Sequence, residues 1–241
     1  MADLGFVVPC LNEQASIASV VRDARLFADI VGLSVDVCVV DNGSTDDSVA
    51  QAEGAGARVI NESIRGYGSA IRRGLAECKA NWIVIADADG QHVLEDTSNL
   101  IAALKNGADL AVGRRRSYDP DRPASPWMNR SVGSPLLSFI ASGISGMPYL
   151  DFHCGFRAIT RDGLCRLSLQ STGMEFSSEM LIRAHQAGLR IVETDVRVRP
   201  RQDNSAHLRP FTDGFRHLRE IVRCQWHLPS RARRQVPSIH Q

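Results

Sequence analysis

Short, mostly apolar runs recur through the first half of the chain, separated by stretches with helical spacing. Residues 5–9, 35–40, 58–61, 82–86 and 109–112 read as strands. Residues 46–55, 69–79 and 94–105 read as helices between them. Ile17, Val20, Val21 and Ala24 mark a helix after the first strand, with Asn12 or Ser16 as its cap. Strands separated by helices argue for an α/β fold with a mostly parallel central sheet flanked by helices. Ligands of such sheets bind beyond the carboxyl ends of the strands. Polar clusters follow three of these strands, at Asn12-Glu13, in residues 41–47 and in residues 87–91. Topology alone therefore gathers them on one edge.

A chain of 241 residues with 44% apolar side chains can bury the core of one large domain, which we place at residues 1–228. Residues 229–241, with Arg231, Arg233 and Arg234, read as a basic disordered tail. Lys plus Arg number 28 against 27 for Asp plus Glu, so nothing global calls for nucleic acid or an acidic partner. The six cysteines show no Cys-x-x-Cys pair and no zinc-like spacing, which suits a reduced, cytoplasmic chain. The N-terminus lacks a basic region followed by a long apolar one, so we expect no signal peptide. Residues 131–150 are uncharged and long enough to span a bilayer. Pro135, Pro148 and three glycines break that stretch, so we expect a partly buried helix near a groove instead. The second half is less regular. Residues 113–126 read as a basic, proline-containing loop, 172–187 as a helix and 190–198 as a strand. Residues 212–228 read as a helix with Phe215, Leu218, Ile221, Val222 and Trp226 on one face.

The sharpest chemical signal is Ile83-Val84-Ile85-Ala86-Asp87-Ala88-Asp89-Gly90-Gln91-His92, an apolar strand ending in two carboxylates two positions apart. Hard cations such as magnesium and manganese take oxygen ligands and pair with substrate phosphates. The other reading of Asp-x-Asp is an acidic turn that caps the next helix. His92 suits packing or hydrogen bonding better than ligation, because oxygen ligands fit the expected metal. In Val40-Asp41-Asn42-Gly43-Ser44-Thr45-Asp46, an acid just after a strand can take a ribose hydroxyl or a base N–H, while Ser44 or Thr45 reads as a helix cap. In Arg65-Gly66-Tyr67-Gly68-Ser69, glycine lets backbone approach a phosphate and the helix start attracts anions; a plain turn is the other reading. Glu175 and Glu179 share a helical face, as a solvated pair or facing the site.

These patterns, in this order, resemble the family 2 inverting glycosyltransferases of GT-A fold, over roughly residues 4–225. The match begins at Val7-Val8-Pro9-Cys10-Leu11-Asn12-Glu13 and runs through residues 41–46 and 65–68 to Asp87-Ala88-Asp89-Gly90-Gln91. Within that family the chain looks most similar to the dolichyl- and polyprenyl-phosphate sugar synthases. The features that carry this are the Asp-Ala-Asp-x-Gln-His motif, Gly113-Arg114-Arg115, Arg130-x-x-x-Ser134, the segment from Asp151 to Arg157, and Pro200-Arg201. The resemblance implies that Pro9, Asn12, Glu13, Asp41, Gly66, Asp87 and Ala88 bind a UDP- or GDP-hexose donor. It implies a divalent cation, Mg2+ or Mn2+, on Asp89 and Gln91. It further implies that Arg114, Arg130 and Ser134 hold an acceptor phosphate, that Arg201 binds the diphosphate or the acceptor phosphate, and that Asp151 acts with Asp89 in catalysis, as base or acceptor-orienting residue. Arg130 and Ser134, four apart, would share a helical face and could grip one phosphate.

The chain departs from the pattern in its late basic loop. The family's Ser-Lys pair is absent, and His207 or Arg209 stands nearest in its place. The expected acceptor is therefore either a polyprenyl phosphate or a soluble molecule; the Phe215 to Trp226 face reads first as packing on its own domain and second as a peripheral membrane contact. A nucleotidyltransferase would need an early glycine-rich, basic phosphate loop, which residues 9–13 lack. A non-catalytic sugar-nucleotide-binding module is disfavoured by the intact Asp87, Asp89, Gln91 and Arg130.

Overall fold

A computed structural model describes residues 2–117, 143 and 151–200. The expectations for Arg130, Ser134, Arg201, the 131–150 stretch, the 212–228 helix and the terminal tail lie outside the described residues.

Three parallel strands open the sheet: β1 (Leu4–Cys10), β2 (Val35–Asp41) and β3 (Arg58–Asn61). Next come β4 (Trp82–Ile85), β5 (Leu110–Ser117), β6 (Arg157–Thr160) and β7 (Ile191–Val198). The spatial order is β3-β2-β1-β4-β6-β5-β7. All seven residues of β1 are buried, as expected of a strand covered on both faces. Helices α1 (Ile17–Val31), α2 (Ser48–Gly54), α3 (Tyr67–Glu77) and α4 (Thr97–Lys105) supply the crossovers. The short α5 (Arg161–Cys165) follows β6, and α6 (Phe176–Gln186) precedes β7. Helix α1 buries Ile17, Val20, Val21, Ala24, Phe27 and Ala28, the stripe its spacing predicts. Among the described residues no helix is long and apolar enough to cross a membrane.

Three features differ from the sequence expectation. Residues 113–116 are strand rather than loop, because β7 offers β5 a parallel partner from Leu110↔Ile191 through Ser117↔Val198. Strand β6, too short to show a period, pairs antiparallel with both β4 and β5. Its reversed direction matters: the carboxyl ends of the parallel strands and the amino end of β6 share one edge. The segment before Arg157 is thereby delivered to the edge where the loops after β1, β2 and β4 emerge. Finally, the helix expected from residue 172 begins at Phe176.

Candidate active site

The loops after β1 and β2 are knitted together. Asn12 adopts a left-handed conformation (φ 56°), which asparagine tolerates better than most side chains. Its N–H donates to Ser44 Oγ at 3.0 Å, and its Oδ1 accepts from Thr45 N at 2.8 Å. Glu13, buried at 7% exposure, donates its N–H to Ser48 Oγ at 2.7 Å. Asp41, at the end of β2, accepts from Gly43 N at 3.1 Å and from Ser44 N at 3.0 Å. Ser44 and Thr45 thus serve this inter-loop network and do not cap α2, whose cap position is Asp47. Ser16 does occupy the cap position of α1, but its hydroxyl donates to Ala88 O at 2.8 Å and caps nothing. That bond ties the first loop to the Asp-x-Asp turn. Pro9 is buried one residue before the end of β1, opposite Val40.

The acids of the turn after β4 do not cap the next helix, whose cap position is Asp96. Asp89 Oδ1 accepts from Gln91 N at 3.0 Å, a local turn bond. Asp87 stays partly open, its side chain 29% exposed, and Oδ1 accepts from Tyr67 Oη at 2.8 Å. Buried Ala88 separates the two acids. His92 stacks on Phe156 at 4.9 Å, and its Nδ1 accepts from Asp87 N at 3.4 Å, so it packs and hydrogen-bonds as expected. Gln91 Nε2 donates to Arg199 O at 3.2 Å, and Arg199 N returns a bond to Gln91 O at 2.8 Å. Arg197 grips Asp96 at 2.7 Å just beyond. The acidic turn is therefore stitched to the chain leaving β7, two residues before Arg201.

Gly66 sits between these loops with φ 136°, and a Cβ there would lie 2.1 Å from Thr172 O. Asn42 fixes it: Oδ1 accepts from Gly66 N at 2.7 Å, while Nδ2 donates to Glu62 O and Ile64 O, each at 2.9 Å. Glu175 and Glu179 are no solvated pair. Glu179 is fully buried and accepts from Gln170 N and Ser171 N at 2.9 and 2.8 Å, and Glu175 accepts from Gly173 N at 3.0 Å. Both hold the turn against which Gly66 and Gly68 pack.

Asp151 lies at the same edge, in the segment before β6. Arg115 binds it through two bonds, Nε to Oδ2 at 2.7 Å and Nη2 to Oδ1 at 2.8 Å. Burial alone would raise the Asp151 carboxyl, but the Arg115 guanidinium outweighs it and holds the group below its ordinary range. Asp151 N donates to Glu193 Oε1 at 2.7 Å. Arg114 does not join this pair: its Nε meets Asp195 at 2.6 Å, and its Nη1 lies 3.7 Å from Glu193. Beneath them Arg157 is fully buried and donates to three backbone carbonyls.

The structure thus brings Asn12, Glu13, Asp41, Gly66, Asp87, Ala88, Asp89 and Gln91 into one connected array, with Asp151 beside it. Sequence reasoning gave no individual role to Asn42 or Tyr67, and it placed Arg115 and Gly155 only as members of longer motifs. Residue alternation along β5 would have separated Arg115 from Arg114 had the strand been extended past Val112.

Residues 6–167 match the sequence profile of glycosyl transferase family 2. The low-salt glycan biosynthesis hexosyltransferase Agl6 of Haloferax volcanii is 33% identical over 220 residues, which cover 91% of this chain and 53% of that protein. The chain thus spans about half of that relative's length. A dolichyl-phosphate hexose transferase of the same organism is 30% identical over 222 residues, 92% of this chain and 93% of that one. Glucosyl-3-phosphoglycerate synthase from Mycobacterium tuberculosis, crystallised with Mn2+, uridine-diphosphate-glucose and phosphoglyceric acid, superposes with a TM-score of 0.70 at 25% identity, covering 100% of this chain and 83% of that one. With its Asp-x-Asp turn at the carboxyl edge of a GT-A sheet, the chain belongs to glycosyl transferase family 2.

Proposed function

We propose that the protein moves a hexose from a UDP- or GDP-sugar to a polyprenyl phosphate, with inversion at the anomeric carbon and with a divalent cation, Mg2+ or Mn2+, at the Asp-x-Asp turn. One observation carries this reading: Asp87 and Asp89 follow β4 at the edge where the Asn12–Glu13 and Asp41 loops converge. The named relatives agree with it, a dolichyl-phosphate hexose transferase on the acceptor side and a Mn2+- and UDP-glucose-bound synthase on the donor side.

The residues present fit a hard cation. Asp89 and Gln91 offer side-chain oxygens of the kind a hard cation takes, and the bond from Gln91 Nε2 to Arg199 O steadies the Gln91 amide. Among the described residues no group of three or more His, Cys, Asp or Glu could hold a metal. A cation here would complete its shell with donor phosphate oxygens and water, as Mg2+ commonly does. When bound, it neutralises charge on the departing nucleoside diphosphate. Asn12, Glu13 and Asp41 would hold base and ribose, and Gly66 would let backbone approach the diphosphate. In the transfer, an acceptor oxygen bonds to the anomeric carbon while the bond to the β-phosphate oxygen breaks, its electron pair leaving with the diphosphate.

A phosphate acceptor is already ionised and needs little general-base help. Asp151, ionised and locked by Arg115, would then orient the acceptor. Arg130, Ser134 and Arg201 would bind the acceptor phosphate; Arg114 would have to exchange Asp195 for it. Catalysis would rest on positioning and leaving-group stabilisation. A second reading keeps the donor chemistry and uses a soluble acceptor, favoured by the phosphoglyceric acid bound in the structural neighbour.

The test pairs UDP-glucose, GDP-mannose and UDP-GlcNAc with polyprenyl phosphate and, separately, with soluble phosphorylated acceptors. Transfer to the lipid supports the first reading, and transfer only to a soluble phosphate the second. Asp89→Ala should lower metal-dependent turnover roughly a hundredfold or more. Undiminished turnover in that variant would remove the metal assignment.

A further inference from the structure

Asp87 is held from three sides, and only one of them belongs to its own turn. Tyr67 Oη donates to Oδ1 at 2.8 Å from the first residue of α3. His92 Nε2 lies 3.8 Å from Oδ2. From the segment before β6, Gly155 comes so close that a Cβ would stand 2.5 Å from Asp87 Oδ2 and 2.8 Å from Tyr67 Oη. A side chain at residue 155 would occupy the space the Tyr67–Asp87 bond needs. Tyr67 is itself anchored, because Asn42 holds the preceding Gly66. Burial pushes the phenol well above its ordinary range, so it acts as a donor at every working pH.

We propose that Tyr67 is a positioning residue for donor binding. Its hydroxyl fixes the Asp87 carboxylate so that the remaining acceptor positions face the nucleotide-sugar, and residue 155 is glycine to leave room for that bond. This rests on the nucleotide-sugar reading above. An aspartate at a strand end has several staggered rotamers open to it, and a donor that needs one of them must freeze the rest on binding. Tyr67 does that freezing in advance. Because Asp87 is partly open, water can replace the lost hydroxyl in a Phe variant, so the fold itself should lose little. Donor affinity should fall in the range expected for one hydrogen bond to a charged group, roughly ten- to a hundredfold.

The experiment uses the full chain. UDP and GDP are titrated by calorimetry with Mn2+ present, Mn2+ binding is followed by electron paramagnetic resonance, and thermal melts are recorded in parallel. Tyr67→Phe is expected to weaken nucleoside-diphosphate binding roughly tenfold or more. It should raise the donor KM by more than it lowers kcat and leave the melting temperature nearly unchanged. Gly155→Ala should weaken binding similarly, and the double variant should be little worse than either alone, because both act through Asp87. Wild-type affinity in Tyr67→Phe, or additive losses in the double variant, would overturn the proposal. A fall in melting temperature without a change in affinity would assign Tyr67 to the fold alone and overturn it equally. A wild-type chain that binds neither UDP nor GDP would overturn the nucleotide-sugar reading itself, and this inference with it.

Discussion

Replacing Arg157 by methionine tests whether the floor of the site is an electrostatic construction. The side chain is 2% exposed and carries its charge into the core. Its Nε donates to Cys154 O at 2.8 Å, Nη1 to Ser177 O at 2.6 Å and Nη2 to Phe152 O at 2.8 Å. Burial pulls the guanidinium below its ordinary pKa, the mark of a charge dehydrated without full compensation. Methionine fills much of the volume but makes none of the three bonds. At about 1.5–3 kcal/mol for each bond from a charged donor, the gross loss is roughly 4.5–9 kcal/mol. Against this, the guanidinium need no longer be dehydrated, which returns several kcal/mol. A net destabilisation of about 3–4 kcal/mol follows. For a chain of this size that corresponds to a fall of about 6–16 °C in melting temperature. Differential scanning fluorimetry and urea titration would measure it. Because two of the carbonyls, Phe152 and Cys154, lie within the segment that brings Asp151 and Gly155 to the edge, nucleotide affinity should already fall at temperatures well below the new melting point. A variant that melts within about 2 °C of wild type would refute the argument, showing that packing alone holds that segment.

The Arg115–Asp151 pair makes stability depend on pH with a definite sign. The Asp151 carboxyl is held below its reference value of 3.8, so its contribution is present above that value and is lost as pH falls through the lower folded one. The gap in urea midpoint between wild type and Asp151→Asn should be constant above about pH 5 and narrow below about pH 4, and a gap that does not narrow contradicts the pairing. The thiols offer a second check. Burial pushes Cys10 and Cys154 up to about 12 and Cys38 to about 11, while Cys165 is exposed. Iodoacetamide at neutral pH should label Cys165 in the native chain and spare those three until denaturation, as peptide mass spectrometry would read; early labelling of Cys154 would contradict its burial.

Much of the carboxyl edge was legible because β1, β2 and β4 obey local rules. Their apolar runs are buried on both faces, and the polar residues that end them have nowhere to go but the carboxyl edge. What stayed hidden depends on pairings between distant segments. Strand β6 spans four residues and owes its existence to β4 and β5 on either side. Residues 113–116 become strand only because β7 lies alongside. Arg115 therefore looked like loop, and the acid it pairs with, Asp151, looked unaccompanied. Tyr67 escaped for a similar reason. Between two glycines at a helix start it reads as turn residue, and its partner Asp87 lies 20 positions away.

The choice between a capping turn and a ligand site, open at the level of sequence, rests on a false opposition. A carboxylate offers about four acceptor positions, and a turn N–H takes one. Asp89 spends one bond on Gln91 N, and Asp41 spends one from each oxygen on Gly43 N and Ser44 N. These bonds help to orient each carboxylate, and a turn bond of this kind is compatible with the ligand site proposed above. Asp87 differs: its Oδ1 accepts not from its own turn but from Tyr67 Oη. Where local backbone cannot orient an acid at the edge, a side chain from another loop does so. The acids most exposed to loss of function by a distant substitution should therefore be those, like Asp87, whose orientation is supplied from afar.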